Sequence, residues 1–121
     1  MISVAVVDDH PMMRRMLCDV LMEQPVLQVI GEAPDGLAAI ELVEQVHPDV
    51  VLIDAHMPGM NGIDTTRQIR ALSSETVIIG MSSDSSPSME REFLSAGAHA
   101  FLPKELMGKQ VSAIIGRELS Q

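Results

Sequence analysis

Cysteine, aromatic residues and basic residues are all scarce in this chain of 121 residues. The single cysteine, Cys18, cannot form an internal disulfide, and its place on a predicted helix face favours a buried, unreactive thiol. Tryptophan and tyrosine are absent and phenylalanine occurs twice, so the ten scattered methionines are expected to fill gaps in the core. Eight basic residues against 17 acidic ones give a formal net charge of −9. That charge opposes binding to the phosphate backbone of nucleic acids, so we expect no direct DNA binding by this chain.

Long apolar runs and export signals are missing too. No stretch approaches the roughly 20 residues that a membrane span requires. The opening segment, MISVAVVDD, lacks the basic start and the small-residue cleavage site of a secretory signal. We therefore expect a soluble cytoplasmic protein with no membrane partner. The length and the 46% of hydrophobic residues are sufficient for one core, which predicts a single domain over residues 1–121.

Five apolar runs alternate with five helical patterns along the chain. The predicted strands are Ile2–Val7, Gln28–Gly31, Val50–Ile53, Val77–Met81 and Ala98–Leu102. The predicted helices begin near Pro11, Asp35, Asn61, Pro87 and Met107, and the serine-rich stretch 82–88 is predicted to be a loop. Strict alternation predicts a parallel sheet with helices on both faces. The flavodoxin-like strand order 2-1-3-4-5 is the common arrangement for five such strands.

Chemically active side chains follow four of the predicted strands. Asp8 and Asp9 come after the first strand, Asp54 after the third, Ser82 after the fourth and Lys104 after the fifth. Ligands of open α/β sheets bind beyond the carboxyl ends of the strands. In the predicted order the first and third strands are neighbours, so the three carboxylates are expected to meet at one edge of the sheet.

This combination of groups predicts a site that handles a phosphoryl group. Three adjacent carboxylates repel one another, and a hard divalent cation such as Mg2+ relieves the repulsion while bridging to phosphate. Asp54 stands alone before a glycine-containing loop and is the better candidate nucleophile, since a carboxylate can form an aspartyl phosphate. Asp8 and Asp9 can hold the metal, and Lys104 and Ser82 can donate to phosphoryl oxygens. Each residue alone has a duller explanation, such as a helix cap or a solvated side chain, but their convergence favours the functional one.

The same residues resemble the motifs of response-regulator receiver domains of bacterial two-component signalling. The match comprises the Asp8-Asp9 pair, the segment DAHMPGMNG that begins at Asp54, Ser82 after VIIGM, and Lys104 after AFLP. It spans nearly the whole chain in the order of the family. The opening DDHPMMR resembles the subgroup in which the receiver precedes a helix-turn-helix DNA-binding domain. We therefore expect the output either in a further domain of a longer parent protein or on a separate partner, and a stand-alone receiver would have the same sequence pattern.

The resemblance implies a role for each matching residue. Asp54 resembles the phosphoacceptor, Asp8 and Asp9 the acidic pair, and the main-chain carbonyl of His56 the third protein ligand of Mg2+, with Asp9 as a direct ligand. Ser82 resembles the switch hydroxyl, Lys104 the lysine that bridges to the phosphoryl group, and Phe101 the aromatic switch residue. His56 and Asp84 occupy the positions that tune self-dephosphorylation.

The resemblance also implies a function for the whole chain. A sensor histidine kinase would phosphorylate Asp54, and the surface formed by the fourth helix, fifth strand and fifth helix would change to control an output domain or partner, in transcription regulation. The chain would be a phosphoacceptor that assists its own phosphorylation and dephosphorylation rather than an enzyme, and it could form a homodimer.

The chain departs from the pattern of the family at three positions. Phe101 has no hydroxyl, and Ser83 replaces a small alanine. Glu105 rather than proline follows Lys104, so no cis peptide bond is expected there.

Two other classes of protein fit part of the sequence. The segment from Asp54 to Gly59 satisfies the D-x-H-x-x-G pattern of cobalamin-binding domains, in which the histidine, here His56, ligates cobalt. That pattern should follow the first strand rather than the third, and such a site has no use for Asp8 or Lys104. A phosphatase or phosphotransferase acting on small molecules would usually carry an acidic residue where this chain has His56.

Overall fold

The computed structural model describes residues 1–84 and 86–120. Five parallel strands form one sheet in the order β2-β1-β3-β4-β5, as predicted. The strands are β1 (Ile2–Val7), β2 (Leu27–Ala33), β3 (Val50–Asp54), β4 (Val77–Ser82) and β5 (Ala100–Pro103). The helices are α1 (Pro11–Met22), α2 (Gly36–Val46), α3 (Gly62–Leu72), α4 (Pro87–Ala96) and α5 (Met107–Leu119), with a short 3-10 helix at Lys104–Leu106. The flavodoxin-like fold is therefore confirmed.

Two apolar layers cover the two faces of the sheet. Successive side chains of β1 point to opposite faces, so Val4 packs in one layer and Ala5 in the other. The first layer includes Leu17 of α1 and Ile115 of α5, and the second includes Phe93 of α4. The three central strands are buried on both faces, which explains why their sequences are continuously apolar rather than alternating.

Short polar side chains start the helices where the sequence predicted. Asp35 accepts a hydrogen bond from the backbone N–H of Ala38 at 2.9 Å, and Asn61 accepts one from Asp64 at 2.8 Å. Gly97 ends α4 with a φ of 116°, a left-handed conformation that suits glycine. The caps at Asp35 and Asn61 therefore fix where the loops that follow β2 and β3 end, and Gly97 fixes where the connection from α4 to β5 begins.

Four of the five strands differ in their bounds from the prediction, and β3 and β4 each extend by one residue, to Asp54 and Ser82. β2 extends to Leu27–Ala33 because it pairs with the whole of β1, through a register shift between Val4 and Ala5. β5 begins at Ala100 rather than Ala98, because the N–H of Ala98 bonds to the last turn of α4.

The serine-rich stretch is not wholly a loop, since it begins in β4 and ends in α4. Its residue Ser85, like Gln121, lies outside the described residues.

The apolar faces of two helices are also narrower than predicted. Cys18 is half-buried rather than buried. Its partial burial is the main cause that raises the pKa of its thiol to about 11, and the nearby Glu32 carboxylate raises this pKa further. The apolar spacing of the second helix predicts a buried stripe of Ala39, Ile40, Val43 and Val46. In α2, Ala39 and Val43 are indeed buried, whereas Ile40 is half-buried and Val46 is exposed. In the described part of the chain, no helix combines the length and apolar character of a membrane span.

Candidate functional site

The register of the sheet brings the predicted polar residues to one edge. Asp54 is the last residue of β3 and pairs with Met81 of β4, so Ser82 lies one position further along. Ser82 in turn pairs with Pro103 of β5, which Lys104 follows directly. Asp8 comes directly after β1, whose last residue pairs with Ile53.

The lysine lies between two of the carboxylates. The Nζ atom of Lys104 is 3.0 Å from Oδ2 of Asp8 and 3.3 Å from Oδ2 of Asp54. Asp8 and Asp54 are fully or almost fully buried, whereas Asp9 is half-buried and lies nearer the solvent. Burial raises the pKa of Asp54, and the neighbouring Asp8 carboxylate raises it further. The charge of Lys104 and a hydrogen bond from the backbone of His56 oppose these two effects on the pKa of Asp54.

The carboxylates carry more negative charge than the described side chains neutralise. Asp8, Asp9 and Asp54 supply three carboxylates against one ammonium from Lys104. Oδ2 of Asp8, Oδ1 of Asp9 and Oδ2 of Asp54 are buried, and none accepts a hydrogen bond of good geometry from the described residues. Buried oxygens of this kind are costly unless a cation is present. The donor set therefore fits a divalent ion with oxygen ligands, such as Mg2+.

His10 belongs to the cluster, although the sequence analysis did not single it out. Its Nδ1 lies 3.0 Å from Oδ1 of Asp8 and 3.0 Å from Oδ1 of Asp9. It is also 3.3 Å from Nζ of Lys104. The signal that could have revealed it is its position, since it directly follows the acidic pair and directly precedes Pro11, where α1 begins.

Arg14 is a second residue that the sequence analysis missed. Its Nη1 donates to the main-chain carbonyl of Asp8 at 2.6 Å, and its Nε donates to Glu32 on β2 at 3.3 Å. Arg14 thereby links the turn that carries the acidic pair to the neighbouring strand. Its spacing, one helical turn inside α1, was visible in the sequence, but its partner on β2 was not.

Gly62 allows the loop after Asp54 to fold back closely on β3. The N–H of Gly62 donates to the carbonyl of Ala55 at 2.8 Å. A Cβ atom at this position would lie 2.0 Å from the main-chain oxygen of Asp54. Only glycine fits this close approach. The contact gives a structural reason for the last glycine of the segment DAHMPGMNG, which is Gly62.

The predicted switch and tuning residues lie around the same edge. Ser82 is fully buried, and its Oγ accepts a hydrogen bond from the N–H of Asp84 at 2.9 Å. Asp84 and His56 are exposed. Hydrogen bonds from Ser86 lower the pKa of the Asp84 carboxyl, and His56 is near enough to contribute to that lowering.

Phe101 is buried, with its ring centroid 5.6 Å from that of Phe93. No cis peptide bond occurs among residues 1–84 and 86–120, in agreement with the expectation for the bond after Lys104.

Comparisons with known proteins agree with this fold. The family model described as the response regulator receiver domain matches residues 4–115. The chain is 37% identical over 115 residues to the transcriptional regulatory protein LiaR of Bacillus subtilis, and the aligned part covers 95% of this chain and 54% of LiaR. It is 35% identical over 106 residues to the nitrate/nitrite response regulator protein NarL of Escherichia coli, covering 86% of this chain and 48% of NarL. A protein-glutamate methylesterase/protein-glutamine glutaminase of Pyrococcus horikoshii is 40% identical over 104 residues, or 85% of this chain and 28% of that enzyme.

Solved structures extend the comparison to three dimensions. The response regulator domain of Thermotoga maritima CheB superposes with a TM-score of 0.90 at 30% identity, covering 99% of this chain and 97% of that domain. A LuxR-family two-component response regulator from Aurantimonas superposes with a TM-score of 0.90 at 28% identity, covering 98% of this chain and 86% of the other. The chain thus spans about half of the transcriptional regulators it matches, or less. The family match extends over nearly the entire sequence, and the chain belongs to the response regulator receiver domain family.

Proposed function

We propose that this chain is a phosphorylation-dependent signalling switch in which Asp54 accepts a phosphoryl group from a histidine kinase. The observation that carries the proposal is the contact of one ammonium, from Lys104, with the two buried carboxylates of Asp8 and Asp54. In the transfer, the bond between phosphorus and the histidine nitrogen breaks while a bond between phosphorus and a carboxylate oxygen of Asp54 forms.

Asp8, Asp9 and Asp54 would hold Mg2+, together with the main-chain carbonyl of His56. The ion would neutralise charge on the phosphoryl oxygens and on the carboxylates when bound. The excess of negative charge in the acidic cluster, and its buried oxygens that accept no hydrogen bond of good geometry, support this assignment. Lys104 would donate to a phosphoryl oxygen, since its ammonium lies within 3.3 Å of the proposed acceptor carboxylate.

Ser82 would be the second donor to the phosphoryl group. Its hydroxyl oxygen accepts from Asp84, which leaves the hydroxyl proton free to point elsewhere. Asp84 Oδ1 accepts from the N–H of Ser86 at 3.0 Å, and Ser86 Oγ accepts from the N–H of Met89 at 3.3 Å. These three hydrogen bonds connect the site to the beginning of α4. A shift of Ser82 toward the phosphate would thus move the start of that helix.

The fourth helix, fifth strand and fifth helix would form the output surface, with Phe101 adjusting its packing as Ser82 moves. The relatives named as transcriptional regulators support an output in transcription, through a further domain of a longer parent or a partner protein. A homodimer is one form that such an output could take. We propose that residues 1–121 are a single receiver domain, which acts as phosphoacceptor rather than as an enzyme on other substrates.

Phosphorylation of Asp54 can be tested by intact-mass measurement after incubation with acetyl phosphate and Mg2+. We expect the wild-type chain to gain the mass of one phosphoryl group, because the cation relieves repulsion between the anionic donor and the acidic cluster. Chelation of the metal should abolish the gain. Asp54→Asn is the matched variant, since it preserves shape and removes the nucleophile. An adduct that persists in Asp54→Asn, or forms equally well with chelator, would contradict the assignment.

A further inference from the structure

We propose that His10 supplies an imidazole nitrogen to the divalent cation at this edge. The site of this chain would then bind nitrogen-preferring transition ions, such as Co2+, more tightly than its three carboxylates alone would allow. The inference rests on the proposed function, because it concerns the same cation site. It adds a ligand and a metal preference that the carboxylates do not provide.

The ligand atoms are already assembled. Asp8, Asp9, His10 and Asp54 each offer one nitrogen or oxygen atom, and these four atoms all lie within 4.8 Å of one another. One buried oxygen on each of the three aspartates accepts no hydrogen bond of good geometry from the described residues, although Lys104 or His10 lies 3.0–3.3 Å away, so the charge of the cluster still favours a cation. The imidazole Nδ1, at 3.0 Å from both Asp8 and Asp9, is directed at this group of oxygens.

The backbone holds His10 in this position. The residue has extended φ and ψ angles of −92° and 109° at the start of α1, and its N–H donates to Oδ1 of Asp8 at 2.8 Å. Residues at this position usually turn their side chains to accept from the first N–H groups of the helix. The side chain of His10 makes no such capping bond and turns to the carboxylates instead. It is 64% exposed, so the other ring nitrogen can remain solvated while Nδ1 binds an ion.

The chemistry of the ligand predicts which ions benefit. Mg2+ prefers oxygen ligands and retains several waters, so an imidazole should add little to its affinity. Imidazole suits later divalent transition ions, whose affinities rise from Mn2+ through Co2+ to Ni2+ and Cu2+. His10 should therefore widen the difference between Co2+ and Mg2+ without being needed for Mg2+ binding.

The test is titration calorimetry of the whole chain with Co2+ and with Mg2+, on the wild type and His10→Asn. Asparagine is a favoured residue at the start of a helix, so this variant should fold normally. His47→Asn is the matched control, because His47 lies at the end of α2 with a φ of 47°, a left-handed conformation that asparagine tolerates. Loss of even an outer-shell partner that orients a metal ligand typically costs about 10- to 100-fold in metal affinity or activity, so loss of a direct ligand should be at least as costly. We expect His10→Asn to weaken Co2+ binding by about tenfold or more while Mg2+ binding stays nearly unchanged.

The visible absorption of bound Co2+ gives a second readout. A nitrogen ligand exerts a stronger field than an amide oxygen or water, so the bands should shift in His10→Asn and not in His47→Asn. Equal ratios of Co2+ to Mg2+ affinity in wild type and His10→Asn, with unshifted bands, would overturn the inference. That result would leave phosphorylation of Asp54 untouched, whereas failure of wild-type labelling with acetyl phosphate and Mg2+ would reject the proposed function separately.

Discussion

At the scale of single residues, Gly62 shows how little space surrounds the proposed phosphoacceptor. Because an added Cβ would overlap the main-chain oxygen of Asp54, Gly62→Ala must displace either the loop or the end of β3. We expect the free energy of unfolding to fall by about 2 kcal/mol or more, as for other substitutions that strain a buried backbone. Urea denaturation followed by far-UV circular dichroism can measure it, since tryptophan and tyrosine are absent.

The matched control for Gly62→Ala is Gly116→Ala in α5. Nothing lies within 4 Å of an added Cβ there, and alanine is the better helix former by about 0.5–1 kcal/mol. Gly116→Ala should therefore leave stability unchanged or raise it. Equal effects of the two substitutions would show that the contact at Gly62 is not what restricts the loop.

Two exposed residues beside the site offer a prediction about the lifetime of the aspartyl phosphate. His56 and Asp84 lie two residues after Asp54 and Ser82, and His56 contributes to the lowered pKa of the Asp84 carboxyl. We expect His56→Ala and Asp84→Ala to change the rate of dephosphorylation several-fold, because both side chains would border the path of the attacking water in the proposed site. Loss of phosphate over time, followed by intact mass, measures the rate. Decay at the wild-type rate in both variants would mean that these are solvated loop residues without that role.

Much of the candidate site could be predicted at the residue scale, and what was missed has a physical reason. Asp8, Asp54 and Lys104 end apolar runs, so the strand order alone brings them together. His10 and Arg14 could not be placed in the same way. Their contacts depend on the direction in which α1 leaves the sheet and on the position of Glu32 on β2. No local sequence pattern predicts either of these.

At the scale of elements, His99 connects α3, β4 and β5 at the end of the sheet that lies opposite the candidate site. Nδ1 of His99 accepts a hydrogen bond from the N–H of Ile78 at 3.3 Å and contacts Nη2 of Arg70 at 3.1 Å. Arg70 also donates to the carbonyl of Gly97, at the end of α4. Both contacts of His99 require an unprotonated Nδ1. Burial lowers the pKa of His99, the charge of Arg70 lowers it further, and Glu118 on α5 opposes them.

The lowered pKa of His99 makes stability depend on pH. Since the folded pKa is below the unfolded value of about 6.5, the unfolded chain binds the proton first as pH falls. The contribution of His99 is therefore present above about pH 6.5 and is lost as pH falls below it toward the folded pKa. We expect His99→Asn, which keeps an acceptor near the position of Nδ1 and cannot titrate, to lose stability less steeply over this range. Denaturation at several pH values gives the difference between the two proteins, in which the titration of Asp54 and the other carboxylates cancels. Parallel pH profiles would contradict the prediction.

The elements themselves were predictable to different degrees. Helix starts followed directly from side chains such as Asp35 and Asn61, which cap locally. Strand lengths did not, because the length of β2 is set by its partner β1, through a register shift that no local pattern reveals. The exposure of Val46 in α2 was also missed. The apolar face of a helix shows which side is buried, but it does not show where the packing of neighbouring elements against that side ends.

At the scale of the whole molecule, the proposed switch must carry a change at Asp54, in the central strand β3, to the edge strand β5 and the helices α4 and α5 beside it. A ligand shifts a conformational equilibrium only through contacts that differ between the two states. The bonds that Ser82 and Lys104 would make to a phosphoryl group provide such contacts. Two structural links lead from Ser82 and Lys104 to the helices. Hydrogen bonds connect Ser82 through Asp84 to Ser86, at the start of α4. Lys104 is the first residue of the 3-10 helix that leads directly into α5.

Phe101 is the residue through which this coupling can be tested. Its ring is buried against Phe93 of α4, so any movement of α4 relative to β5 must repack the two rings. With beryllofluoride and Mg2+ as the phosphoryl mimic, we expect NMR shifts around Asp54 and also over residues 86–110. Phe101→Ala should keep the shifts around Asp54 and lose those of α4 and α5. Because truncating a buried phenylalanine can cost about 3–5 kcal/mol, Phe101→Leu serves as a second variant that retains apolar bulk and should preserve part of the response. Wild-type shifts confined to the acidic cluster, with residues 86–110 unmoved, would show that this receiver does not switch through that surface.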